Sequence, residues 1–223
     1  MCGRFAFYSP AEATAALFGV ERAENVEARY NIAPTQLIPV VRVGPDQTRE
    51  FAMLRWGLVP SWAKDPSIGD RMINARAETV AEKPSFRAAY RSRRCIVLAD
   101  GFYEWRKESD GKRPYFVSLA SGAPFAFAGL WENWHAKDSA ESLQSATIIT
   151  MAASEFMRAL HHRMPVVLDQ DSANLWLAGD EHLLLGTSDS APAFRAWPVN
   201  KRVNNARNEG ADLVDPIGKT LSG

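Results

Sequence analysis

Cys95-Ile96-Val97-Leu98-Ala99-Asp100-Gly101-Phe102-Tyr103-Glu104-Trp105-Arg106-Lys107 holds two strand-length runs, Cys95 to Ala99 and Tyr103 to Lys107, on either side of an Asp-Gly pair. β-branched and aromatic residues suit a pleated, half-buried surface, and Asp-Gly supplies the positive-φ backbone of a tight turn. Asp100-Gly101 and Asp110-Gly111 are therefore read as turn signals, with Tyr115 to Leu119 as the next strand. Outward from there, Phe125 to Trp131, Ala146 to Met151 and Pro165 to Leu168 continue in strand language. Upstream, Leu37 to Val43 and Phe51 to Val59 flank Gly44-Pro45-Asp46 and predict a hairpin.

Helical text is sparser. Ser9-Pro10-Ala11-Glu12 predicts a helix to about Phe18, with Ser9 as N-cap, Pro10 at the first position and Glu12 closing a capping box. Ser154 to Leu160 and Ser172 to Ala178 also read as helices, while Arg76 to Glu82 and Phe86 to Arg91 are helical or irregular. Asn133 to Ser145 is polar and reads as a surface loop. The expected fold is α+β, one β-rich domain over residues 1–223 without repeats or a linker.

An apolar fraction of 46% is ample for a core, yet the apolar runs fall far short of the roughly 20 residues of a membrane span. The start, Met1-Cys2-Gly3-Arg4, has neither a secretory leader nor a transit segment, so a cytoplasmic protein is expected, nucleoid-associated when bound to DNA. Net charge is zero, which argues against non-specific coating of nucleic acid. The charges are uneven, however: residues 71–94 carry seven Lys/Arg against two Glu, and residues 190–208 add Arg195, Lys201, Arg202 and Arg207 without an acid. These segments read either as a basic face for nucleic acid or as solvated helix and loop charge.

Two cysteines and four histidines show no metal-ligand spacing, and no glycine-rich loop joins a strand to a helix, so neither metal nor nucleotide cofactor is expected. Cys95 reads as a buried strand residue. Cys2 is different: removal of Met1 would leave an amine and a thiol on adjacent carbons. Such a 1,2-aminothiol condenses with an aldehyde through its amine and then closes a thiazolidine ring through sulfur. An α-amine with a pKa of about 7.7–8.0 is already partly neutral near pH 7, so positioning matters more than activation.

Six segments, in order, resemble the SOS response-associated peptidase family, also called abasic-site processing proteins. They are Met1-Cys2-Gly3-Arg4, Trp56-Gly57-Leu58-Val59-Pro60-Ser61-Trp62, Asn74-Ala75-Arg76, Ala99-Asp100-Gly101-Phe102-Tyr103-Glu104-Trp105, His161-His162-Arg163-Met164-Pro165 and Pro198-Val199-Asn200. The resemblance implies a barrel-like mixed or antiparallel core with peripheral helices, single-stranded DNA containing abasic sites as partner, and thiazolidine formation there. It implies roles too: Cys2 as crosslinking nucleophile, Asn74 positioning its amine, Glu104 as acid/base and His161 as proton shuttle. Arg4, Arg76 and Arg163 match DNA-phosphate contacts, Thr150 lies near the site, Trp62 fits a wedge between bases, and Trp105 is grouped with the DNA-facing residues. A monomer is expected, and replication-fork proteins are open as further partners.

Bottom-up alternatives stand beside these roles. Asn74 precedes Ala75-Arg76-Ala77-Glu78 and suits a helix N-cap; Glu104 between Tyr103 and Trp105 suits the solvent face of a strand; Trp62 and Trp105 suit packing. Three functions compete: the covalent crosslinker, with a strand-cleaving lyase as its side reaction; an N-terminal-cysteine peptidase acting on Met1 or on peptides; and a non-catalytic single-strand binder indifferent to Cys2.

Overall fold

The computed structural model describes residues 2–109, 111–137, 140–180 and 192–223; Met1 and Asp110, which the sequence reading uses, lie outside them. The first half of the chain gives β1 (Phe5–Phe7), α1 (Ala11–Leu17), β2 (Arg29–Ile32), β3 (Leu37–Val43), β4 (Arg49–Trp56) and β5 (Asn74–Arg76). Next come α2 (Arg87–Ser92), β6 (Arg94–Ala99), β7 (Gly101–Glu108), β8 (Gly111–Leu119), β9 (Phe125–His135) and β10 (Ser142–Ala152). The last elements are α3 (Glu155–Arg158), β11 (Arg163–Pro165), β12 (Val167–Leu168), α4 (Gln170–Ala178), β13 (Phe194–Pro198) and β14 (Leu221–Ser222).

Five strands close on themselves in the order β10, β4, β3, β6, β9 and back to β10, with β10 and β4 parallel and the other neighbours antiparallel. A second sheet runs β14-β13-β8-β7-β1-β2. The two meet in an aromatic core, where Phe5 and Phe102 of the sheet pack edge-on against Phe127 of the barrel, and Phe5 also against Trp56. Every residue of β6 is buried because one face fills the barrel and the other is covered by helices: Trp176 of α4 donates its indole N–H to Cys95 O (2.9 Å). The fold is thus mixed α+β with a closed five-stranded barrel and few helices. Among the described residues no helix is long and apolar enough to cross a membrane.

Several local expectations need correction. Asp100-Gly101 is not a hairpin turn: β6 belongs to the barrel and β7 to the second sheet, so the pair carries the chain between them. Its glycine is required by crowding, since a Cβ there would lie 2.2 Å from the Phe116 ring. Asp100 accepts from the N–H groups of Tyr8 (2.6 Å) and Ser9 (2.8 Å) and from the Ser9 hydroxyl (2.5 Å). Ser9 is thereby diverted from capping: α1 starts at Ala11 with Pro10 before it and no side-chain cap, so Glu12 closes no capping box. Residues 133–145 are not a plain loop, because β9 and β10 pair as far as His135 and Ser142 and bury Trp134, whose indole N–H donates to Ala63 O (2.7 Å). Asn74 caps no helix, since it begins β5 and pairs with Ile148.

Candidate active site

Cys2 precedes β1, which lies between β2 and β7. The carbonyl of the residue after next, Arg4, accepts from Tyr103 N (2.9 Å), extending the strand pairing almost to the chain start. Cys2 is fully buried, with its sulfur 3.9 Å from Arg4 O. Burial, and then the charge of Glu104, push its thiol well above the usual thiol range. Asn74 reaches across from β5 and donates its Nδ2–H to Cys2 O (2.7 Å), while its Oδ1 is buried with no hydrogen-bond partner among the described residues.

Glu104 lies on β7, and alternation puts it on the same face as Phe102, which packs on the barrel aromatic Phe127. Tyr103 points the other way into a cluster with Phe116 and, around it, Trp105 and Trp197. Both faces of β7 are thus covered at this point, and the solvent-facing reading of Glu104 is overturned: it is 2% exposed. Desolvation raises its carboxyl to about 7.

His161 follows α3, and its backbone N–H bonds to Met157 O (2.9 Å). The Arg163 N–H donates to its Nδ1 (3.0 Å) and the ring stacks on His162 with centroids 4.2 Å apart. Burial lowers its pKa and favours the neutral ring. Thr150, buried on β10, is flanked by Arg76 of β5 and by β11. Arg163 donates to Thr150 O (2.6 Å) and to both oxygens of Glu78 (2.5 and 3.0 Å), which leaves its side chain 11% exposed.

The remaining DNA candidates differ in freedom. Arg4 is anchored on Asn31 Oδ1 (2.6 Å) and Val203 O (2.7 Å) beneath the Trp105 ring, whose indole N–H is tied to Asn204 Oδ1 (2.8 Å). Arg76 is exposed. Trp62 is 57% exposed, against Pro84 O at 3.4 Å. Its loop leaves β4 through Gly57, where a Cβ would lie 2.5 Å from Gly69 O.

A family model described as SOS response associated peptidase (SRAP) matches residues 1–206. The chain belongs to the SRAP family. It is 41% identical over 224 residues to the abasic site processing protein YoaM of Bacillus subtilis (96% of this chain, 98% of that one). It is 32% identical over 230 residues to the abasic site processing protein YedK of Escherichia coli (97% and 100%). A crystal structure of a protein from Bacteroides thetaiotaomicron superposes with a TM-score of 0.84 at 27% identity, covering 96% of this chain and 99% of that one. Within this SRAP chain, sequence reading did not find Glu78, Asn31 or Asp100. Each acts on a residue far along the chain, Glu78 on Arg163 at a separation of 85, and no periodicity or motif spacing signals such pairs.

Proposed function

We propose that the protein binds single-stranded DNA at an abasic site and joins Cys2 to the site's open-chain aldehyde as a thiazolidine, once removal of Met1 has freed the Cys2 amine. The observation that carries this reading is the Asn74 clamp on Cys2 O, with Asn74 Oδ1 left over to accept an N–H from that amine beside buried Glu104. The amine nitrogen bonds to the aldehyde carbon, the carbinolamine loses its hydroxyl as water to give an imine, and sulfur bonds to the imine carbon. The thiol proton ends on the ring nitrogen, so one water leaves and nothing is oxidised or reduced. A carboxyl near pKa 7 gives and takes protons with little bias at neutral pH, which suits sugar-ring opening and dehydration. His161, whose neutral form burial favours, serves as a second proton carrier.

Holding amine and aldehyde together supplies several kcal/mol, of the order of the proximity effects known for intramolecular reactions. The protonated, buried thiol favours this nitrogen-first route over a peptidase, whose nucleophile would be a thiolate. Arg4, Arg76 and Arg163 face DNA phosphates in this reading, and Trp62 and Trp105 face bases. The names of the relatives, which process abasic sites, support the same substrate.

The test is to incubate the protein with a single-stranded oligonucleotide carrying one abasic site and then denature the mixture. A slow-migrating adduct is expected, and it should vanish in Cys2→Ala and when an N-terminal extension blocks the amine. An undiminished adduct in either would refute thiazolidine chemistry, and strand cleavage without adduct would make the protein a lyase.

A further inference from the structure

A cleft of about 790 Å³ opens between the β3–β4 turn and the ends of α2 and α4. It lies at the other end of β10 from the Cys2 site: Gln144 lines the cleft, whereas Thr150 sits beside Arg76 and Arg163. Six residues of strand separate the two, roughly 20 Å. Its charged lining is Arg42, Arg49, Arg91 and Arg94 against Glu50 alone, a formal balance of four minus one, or +3.

Two of these arginines are buried, Arg42 9% and Arg94 8% exposed, although arginine is rarely buried without full pairing. Most of the cluster has a structural occupation. Arg94 bonds to Tyr90 O (3.0 Å) and Asp180 O (2.6 Å) between the rings of Tyr90 and Trp176, fastening α2 and α4 to β6. Arg49 is held by two neutral oxygens, Phe18 O (2.8 Å) and Asn174 Oδ1 (2.7 Å). Arg42 is the exception. Its Nε donates to Glu50 (2.6 Å) and its guanidinium carbon lies over the Trp131 ring, 4.1 Å from the centroid. Its Nη1 is buried with no partner among the described residues. An arginine that lines a positive cleft with both Nη1 N–H groups unspent fits a tetrahedral oxyanion.

We propose that this cleft is a second binding site, taking the phosphate of a nucleotide-sized anion at the Arg42 guanidinium, with exposed Arg91 at its rim. The volume suits such a ligand, and the amides of Asn133 and Gln144, each both donor and acceptor, line the wall to meet its polar groups. The phosphate comes either from a free nucleotide or from nucleic-acid backbone reaching past the Cys2 site.

The test is calorimetric titration of the full chain with inorganic phosphate, with thymidine 5′-monophosphate and with an undamaged single-stranded oligonucleotide. Saturable binding is expected to weaken about tenfold in Arg42→Lys, which keeps charge but loses the fork, and measurably in Arg91→Ala. Adduct formation at Cys2 should be unaffected by Arg42→Lys. A loss seen with the monophosphate assigns a nucleotide, and a loss seen with the oligonucleotide alone assigns backbone. If neither ligand distinguishes Arg42→Lys or Arg91→Ala from wild type, the cleft is a purely structural arginine cluster and the proposal fails. Arg91→Ala, fully on the surface, keeps the test valid should Arg42→Lys misfold.

Discussion

Cys2 and Cys95 are the same residue in similarly dry surroundings, both fully buried with thiols raised by desolvation. Cys95 sits on β6 between β3 and β9, and its sulfur occupies the space over Gly129, where a Cβ would lie 3.1 Å away. Among the described residues its sulfur serves packing alone. Cys2 meets Asn74 on its carbonyl and the Glu104 carboxyl nearby, and its own nitrogen becomes an amine when Met1 is removed. In the proposed reaction, what distinguishes the two is the amine on the carbon next to the Cys2 thiol, with Glu104 close by.

The sharpest break between them is Cys2→Ser, which keeps the amine but replaces sulfur by a poor ring-closing hydroxyl. The denaturation-resistant adduct should disappear, while reduction with borohydride should still trap an imine; a stable adduct without reductant would mean that sulfur is not needed. Next in size is Glu104→Gln, expected to slow adduct formation by about 10²–10⁴-fold at unchanged affinity for undamaged strand.

The same carboxyl leaves a mark on stability. Its folded pKa is raised from 4.5 to about 7, so its contribution is fully present below about pH 4.5 and lost as pH climbs through 7, about 3 kcal/mol in all. Denaturation midpoints measured at about pH 5 and about pH 8 should differ less in Glu104→Gln than in wild type. An unaltered gap would relocate the titration to another group.

The arginines divide in the same manner, into one that is tied in and one that is open. Arg163→Ala strips partners from Thr150 O and Glu78 and should cost about 1–3 kcal/mol of stability. Arg76→Ala, exposed, should leave stability within about 0.5 kcal/mol but lower the slope of log affinity against log salt by about one. Equal stability in both variants would show that the Glu78 pair is idle. Cys95→Ala should leave adduct yield intact and cost about 1 kcal/mol for the lost buried sulfur, read from a denaturant midpoint.

The strands were legible because alternation and β-branched runs are local, and β3, β4, β6, β7 and β8 lie close to where their apolar residues predict them. What failed were signals that acquire meaning only from a distant partner. Asp-Gly at 100–101 has turn chemistry in either setting, and only the pairing of β7 with β1 instead of β6 tells that it crosses between sheets. Ser9 has cap chemistry, but Asp100, 91 residues away, offers its hydroxyl a charged acceptor. Glu104 obeyed alternation, yet alternation names a face without saying what covers it, and here both faces of β7 are covered. At the candidate site, position alone marks Cys2 as a 1,2-aminothiol without deciding its use, and the proposed roles of Cys2, Asn74, Glu104 and His161 come from the family resemblance.

The placement of β1 has a mechanical side. It is an interior strand, bonded along one edge to β2 and along the other to β7, with Asp100 N donating to Ala6 O (2.9 Å) and Asp100 gripping the chain just beyond at Tyr8 and Ser9. Tension on DNA joined at Cys2 would pull this strand lengthwise, loading its lateral hydrogen bonds together in shear instead of peeling them one after another. Buried Phe5 and Phe7 would have to leave the core at the same moment. The proposed crosslinking residue is thereby moored like the end of a cable clamped on both sides.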